Sequence, residues 1–324
     1  MNLIEIKINL LSGKQNLKNE YMTTIFDLFD NILEEAEREF YRHRFEQALE
    51  KWQSYYQITA KVEYNLIIKE IKKLVKEINP AKIKSLSDLH RCFRLLRQRY
   101  LEKQIHPYTY RIFTKLLTDL YEKEFKTHAE EDDLATHAIF LYLEGDLEKA
   151  KRLLERYLEK DTENMEARVF EGHIYLKQGE QKKAIAVLTK NLFLAADQLY
   201  EDDLYLSQFK MLYGRLHSEY GRKDVALWLL AFEAWFRNYL VFEQDEGFYK
   251  IMLRKEQNER IIRVKYTLAE KYRHFVRCLY ISEYSRLFIK TNKGMINEIE
   301  TYMEQLDVAL FTRYRKKRKP LKMN

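Results

Sequence analysis

A chain of 324 residues with 46 % apolar and 14 % aromatic side chains is long enough for two domains or one elongated array, and can bury a sizeable core. With three Pro, eight Gly and an abundance of Leu, Glu, Lys and Arg it reads as all-helical. The formal net charge of +7 equals the seven Lys and Arg between Arg313 and Lys322, so the rest is formally neutral; the longest apolar run, Val225 to Phe232, is far too short to span a bilayer.

In chain order, Ile4, Ile6, Ile8 and Leu10 alternate with Glu5, Lys7 and Asn9, a short strand pattern. Glu5 and Lys7 also break it as a secretion signal, and residues 1–21 are set apart as a strand-like or flexible segment. Ser12-Gly13-Lys14 has no upstream Gly to complete a phosphate loop. A helix capped by Thr23 or Thr24 is predicted to Tyr41, and a second from Phe45 to Ile58. A third, from Val62 to Ile78, ends at Asn79-Pro80. Ser87 and Asp88 are the expected caps of a fourth, to Lys103, and Pro107 suits the first turn of a fifth, to Lys126. These form an N-terminal helical region, 22–127. The acidic stretch Glu130 to Asp133 suits a helix N-terminus and opens a region of repeats, 128–243. Gln244 to Gly247 reads as a break, and residues 248–291 as one long or two consecutive helices. After a second break at Asn292 to Gly294, a final helix runs toward Tyr314. Residues 244–312 are the C-terminal helical region and 313–324 a basic tail.

Five of the eight Gly fall on one grid. Gly145, Gly179 and Gly221 each precede an Ala by five residues (Ala150, Ala184, Ala226); the first two are 34 apart and the third follows 42 later. Gly172 and Gly214 stand seven residues before Gly179 and Gly221, with Ala138 in that slot of the first copy. Gly inside a helix costs about 1 kcal/mol relative to Ala, so the grid demands a steric cause. The expected cause is a close antiparallel crossing, Gly172 against Ala184 and Gly214 against Ala226, with the second Gly of each pair ending the first helix in a left-handed turn. The eight additional residues before the third copy, around Leu194 to Asp203, are expected to form a longer loop or to lengthen the flanking helices. Phe45, Ala48 and Trp52 match Leu147, Ala150 and Leu154, with His43 in the Gly place; that hairpin is either a worn repeat or a plain helical pair.

This period and these small residues resemble the tetratricopeptide repeat family. The matching positions are Ala138, Leu141, Gly145, Ala150 and Leu154; Gly172, Tyr175, Gly179, Ala184 and Leu188; and Gly214, Gly221, Ala226 and Leu230. The chain departs from the family in lacking an early Trp, in placing Tyr157, Asn191 and Glu233 at the second-helix Ala slot, and in Thr162 where a closing Pro is usual. The resemblance implies an all-α solenoid of helical hairpins with flanking helices, each hairpin covering its neighbour's apolar stripe. It implies a concave groove lined by the first helices, at Ala135, Ile139, Tyr142 and Leu143; Val169, His173, Leu176 and Lys177; and Met211, Arg215, Ser218 and Glu219. The carboxylate clamp by which some members hold chaperone tails has no counterpart, because Ala135 and Ile139 fall at its Lys and Asn positions.

Such a mixed surface suits a peptide or helix with an apolar face and one or two acids. Tyr142, His173, Lys177, Arg215 and Glu219 are the expected contacts, unless the chain's own terminal helices cover them. The function expected is that of a cytoplasmic, non-enzymatic adaptor holding a protein or peptide partner within a larger complex, with self-association left open. An alternative is association with nucleic acid or an anionic surface through Arg313, Arg315, Lys316, Lys317, Arg318 and Lys319, Tyr314 stacking on a base; against it stands a merely solvated, disordered end. A further alternative is a peptide-sensing regulator. Cys92 and Cys278 read as reduced core residues. No catalytic residue, cofactor or metal is expected. HExxH, a Gly-rich phosphate loop and a nucleophile elbow are absent, and His128 and His137 have poor ligand spacing.

Overall fold

The computed structural model describes residues 18–127, 133–260, 266–289 and 293–318. The strand expected at residues 3–11, Glu130 to Asp132, His128 and Lys319 lie outside the described residues. Among the described residues there are fifteen α-helices and no strand. The chain divides after His128 into two compact units.

The first unit contains α1 (Lys18–Tyr41), α2 (Phe45–Thr59), α3 (Val62–Glu77), α4 (Leu86–Leu101) and α5 (Pro107–Leu120), the last continued by a wider turn through Phe125. Two expected caps are corrected. Helix α1 already runs from Lys18, so Thr23 and Thr24 lie inside it. Ser85, rather than Ser87 or Asp88, caps α4: its Oγ accepts the Asp88 N–H at 3.1 Å and donates to the Asp88 carboxylate at 3.0 Å. The earlier start lets Leu86, Leu89, Phe93 and Leu96 form one buried stripe. Pro107 does open α5, with His106 as its cap. Phe40 joins the hairpin to α5, its ring 5.6 Å from Trp52 and 5.0 Å from Phe113, while Trp52 Nε1–H donates to Tyr108 Oη at 3.0 Å.

The α1–α2 turn closes on His43, a non-Gly residue at φ +61°. Its N–H reaches the Phe40 carbonyl at 3.0 Å and the next N–H, Arg44, reaches Glu39 at 2.9 Å. The same pair of bonds closes the turns at Gly145 (to Tyr142 and, from Asp146, to Leu141) and Gly179 (to Leu176 and, from Glu180, to Tyr175). His43 adopts this geometry at a backbone cost of about 1 kcal/mol that Gly does not carry.

The second unit begins with three hairpins: α6 (Leu134–Glu144) with α7 (Leu147–Lys160), α8 (Met165–Lys177) with α9 (Gln181–Ala195), and α10 (Ser207–Tyr220) with α11 (Lys223–Phe236). It continues with α12 (Glu246–Arg260), α13 (Leu268–Tyr284, extended by a wider turn to Ile289), α14 (Lys293–Leu306) and α15 (Val308–Lys317). The stretch 248–291 is therefore two helices, and the expected final helix is two short ones. Gly145, Gly179 and Gly221 take φ of +94°, +78° and +65°, as hinges should, and Ala150, Ala184 and Ala226 are fully buried. Successive hairpins pack α7 on α8 and α6 on α8, the pattern of an all-α helical-repeat solenoid. Helix α11 is buried continuously from Val225 to Trp235. It is a core helix rather than an amphipathic one, and α13 packs along it, Phe275 5.7 Å from Phe232. Each aromatic ring so withdrawn from water contributes about 2–3 kcal/mol.

The steric reading of the helical glycines is corrected. A Cβ on Gly172 would collide first with the phenol of Tyr205, and one on Gly214 would meet nothing within 4 Å. The small residue in α8 makes room for an aromatic ring from the inserted segment, and Gly214 faces open space. That segment is neither a loose loop nor a longer helix. It forms two short turns, Ala196–Gln198 and Glu201–Leu204, with Ala196, Leu199 and Leu204 buried, and α10 packs against the second.

Candidate functional site

Three of the five expected contacts come together. Tyr142, in the last turn of α6, packs edge-on against Phe170 of α8 at 5.4 Å, with the His173 ring 6.3 Å away. One turn further along α8, Lys177 Nζ stands 4.0 Å over the Tyr142 ring. Lys177 is exposed, yet desolvation lowers its pKa below the ordinary lysine value. None of the carboxylates in the described residues pairs with it.

The inserted segment completes the cluster. Tyr205 sits edge-on to His173 at 4.7 Å and its O–H donates to the Val169 carbonyl at 3.0 Å. Its backbone is held at φ +46°, which costs energy for a side chain with a Cβ. Asp203, buried beside it, accepts the Tyr200 N–H at 2.9 Å and lies 3.9 Å from His173 Nε2. Tyr205 and Asp203 escaped the sequence reading. The one sequence signal was Gly172 itself, which marks a close approach without naming what approaches.

Arg215 and Glu219 do not join this cluster. Arg215 turns to α11, its guanidinium 3.2 Å from the buried Glu233, which also receives Arg313 at 2.7 Å and Arg237 at 3.9 Å. Glu219 is exposed beside Tyr220, whose phenol pKa is raised by burial and then by the Glu219 charge. For Arg215, then, the chain's own later helices are the partner.

The described part of the basic tail, Arg313 to Arg318, is engaged in the same way. Residues 308–317 are a helix, α15, capped by Asp307, rather than a disordered end. Arg313 lies over the Phe232 and Phe236 rings at 5.0 and 4.8 Å as well as on Glu233. Lys317 donates to the Trp235 carbonyl and stands 4.2 Å over its ring; burial lowers its pKa to about 8. Arg318 pairs with Glu300. Tyr314 is no exposed stacking ring: it is fully buried, bonded to Ser282 and Glu300 at 2.9 Å each. Of the described tail cations, Arg315 and Lys316 are exposed and the other three half-buried.

A cavity of about 230 Å³ opens between α8, α9, α11, α12 and α13, lined by Glu163, Trp228, Lys255, Arg273 and Arg277 among others. Its cations are already paired, Lys255 with Glu163 at 2.6 Å and Arg273 and Arg277 with the one Glu259 at 3.0 and 2.8 Å. Both cysteines are free thiols, and burial pushes Cys92 upward in pKa. Among the described residues there is no group of three or more His, Cys, Asp or Glu able to hold a metal, and no helix long and apolar enough to cross a membrane.

Residues 141–200 match the tetratricopeptide repeat family, a stretch running from the end of α6 through α9 that includes Tyr142, His173 and Lys177. No curated protein and no solved structure matches the chain.

Proposed function

Because the chain carries tetratricopeptide repeats, generally protein–protein interaction modules, we propose that it is a non-enzymatic adaptor holding a segment of a partner protein on the face of α6 and α8, within a larger complex. The observation that carries this reading is the cluster of Tyr142, His173 and Lys177. A partly desolvated ammonium without a carboxylate partner, fixed over an aromatic ring, gains more from an incoming acid than a fully hydrated one does. The segment that fits lays an apolar side chain against Tyr142 and an Asp or Glu against Lys177. The scaffold side is preorganised by packed helices, so the ordering cost falls on the segment. Arg215, engaged by Glu233, has a smaller part in this reading than Lys177.

The reading is tested by affinity purification from the native cell with quantitative mass spectrometry. Lys177→Glu should deplete one partner about tenfold or more with stability moved by no more than about 0.5 kcal/mol; Tyr142→Ala should deplete the same partner, at a cost of about 1–2 kcal/mol in unfolding from the lost contact with Phe170. Equal capture by both variants and the parent would remove the α6–α8 face from the account.

A further inference from the structure

Helix α3 of the first unit separates its charges by face. Its acids repeat every seven residues, Glu63, Glu70 and Glu77, and each is engaged by a neighbouring element. Glu70 accepts the His106 N–H at 3.0 Å and the Thr109 hydroxyl at 2.8 Å; Glu77 binds Arg99 at 2.6 Å. His106 Nδ1 accepts the Tyr108 N–H, so its other nitrogen carries the proton given to Glu63 at 2.8 Å. The lysines do the reverse. Lys69, Lys72, Lys73 and Lys76, followed by Lys82 and Lys84 before α4, are all exposed, and no carboxylate among the described residues pairs with any of them.

The same outward face carries bare aliphatic side chains. Val62 is 71 % and Leu66 57 % exposed, and Ile58, in the last turn of α2, is 40 % exposed. Val62, Leu66, Lys69, Lys73 and Lys76 follow one another at steps of four and three, a single line along the helix about 21 Å long. The lysines make this face positive, because the three acids of α3 lie on the adjacent row of the helix and are engaged by His106, Thr109 and Arg99.

We propose that this face of α3 docks on an anionic phospholipid surface, Val62 and Leu66 entering the interface while Lys69, Lys72, Lys73 and Lys76 lie among the headgroup phosphates. Aliphatic side chains beside lysines are the two components that interfacial attachment combines. A nucleic-acid backbone would use the lysines and leave the aliphatics wet. A single strand would also stack its bases on exposed rings, and the aromatic residue of α3, Tyr64, is turned onto Tyr55 at 4.7 Å.

Sedimentation of the full chain with vesicles decides the matter, comparing phosphatidylcholine alone with phosphatidylcholine containing one third phosphatidylglycerol. The chain should partition onto the anionic vesicles only. The triple variant Lys69→Glu, Lys73→Glu, Lys76→Glu should lose about 100-fold in partition coefficient, and Val62→Ser with Leu66→Ser about tenfold. All five positions are exposed, so circular dichroism of both variants should match the parent. Absence of anionic-vesicle binding, or partition that neither variant alters, would overturn the proposal. So would retention of a single-stranded RNA that depends on the lysines but ignores Val62→Ser and Leu66→Ser, with no binding to vesicles.

Discussion

In the hairpin α8–α9 the residue after the helical Gly is His173, left among aromatic rings, and the slot on the second helix holds Asn191. In α10–α11 the residue after the Gly is Arg215, and the same slot holds Glu233, which takes Arg215, Arg237 and Arg313 together. The backbone spacing is shared, yet one face keeps its cation, Lys177, unpaired while the other spends its cation on the chain's own later helices. Gly172 is filled by Tyr205 and Gly214 by nothing. Equal spacing in a repeat therefore specifies the hinge and the crossing. What a face does is decided by the residue opposite it.

The largest effect should come from the closed side of this comparison. Glu233→Ala removes the buried carboxylate shared by three part-exposed arginines and should cost about 2–3 kcal/mol in denaturant unfolding; a loss below about 1 kcal/mol would reduce the node to a surface pairing. Next are the two glycines, which should respond with opposite sign. Gly172→Ala displaces Tyr205 and should destabilise by about 2 kcal/mol, less when combined with Tyr205→Ala, whereas Gly214→Ala in an open helical position should stabilise by about 1 kcal/mol. Thermal melts of the three variants check this. Destabilisation by Gly214→Ala would restore a tight crossing there. The smallest effect concerns Lys317. Its folded pKa is about 8 against an ordinary 10.5, so between those values the unfolded chain holds the extra proton and stability rises with pH. Lys317→Met should flatten the rise in melting temperature between about pH 8 and 10, the window below tyrosine ionisation.

The hinges were legible because a left-handed residue is a local backbone requirement, and Gly145, Gly179 and Gly221 advertise it. His43 could be placed by analogy although its type argues against the conformation. The helix ends at Pro80 and Pro107 were legible for the same local reason. The Ser85 cap was missed because Ser85 and Ser87 offer the same hydroxyl, and the choice depends on burying Leu86. The filling of Gly172 lies 33 residues away in Tyr205, on an insertion with no periodicity to fix its path. The tail looked like a free basic run because its sequence shows seven cations and none of the partners; Glu233, Trp235 and Glu300 are supplied by α11 and α14. Of the expected site, Tyr142, His173 and Lys177 were drawn together by one helix spacing, and Arg215 was drawn off by a carboxylate that the spacing does not mention.

The central claim is that a partner segment lies on the α6–α8 face and not along α10. The direct measurement replaces Leu176 in one protein and Ser218 in another, the equivalent positions of α8 and α10, with a photoreactive benzophenone amino acid, leaving Lys177 in place, and irradiates each in its native cell. A covalent adduct of one partner protein from position 176, with none from 218, is the predicted result. The same adduct from 218 and none from 176 would contradict it.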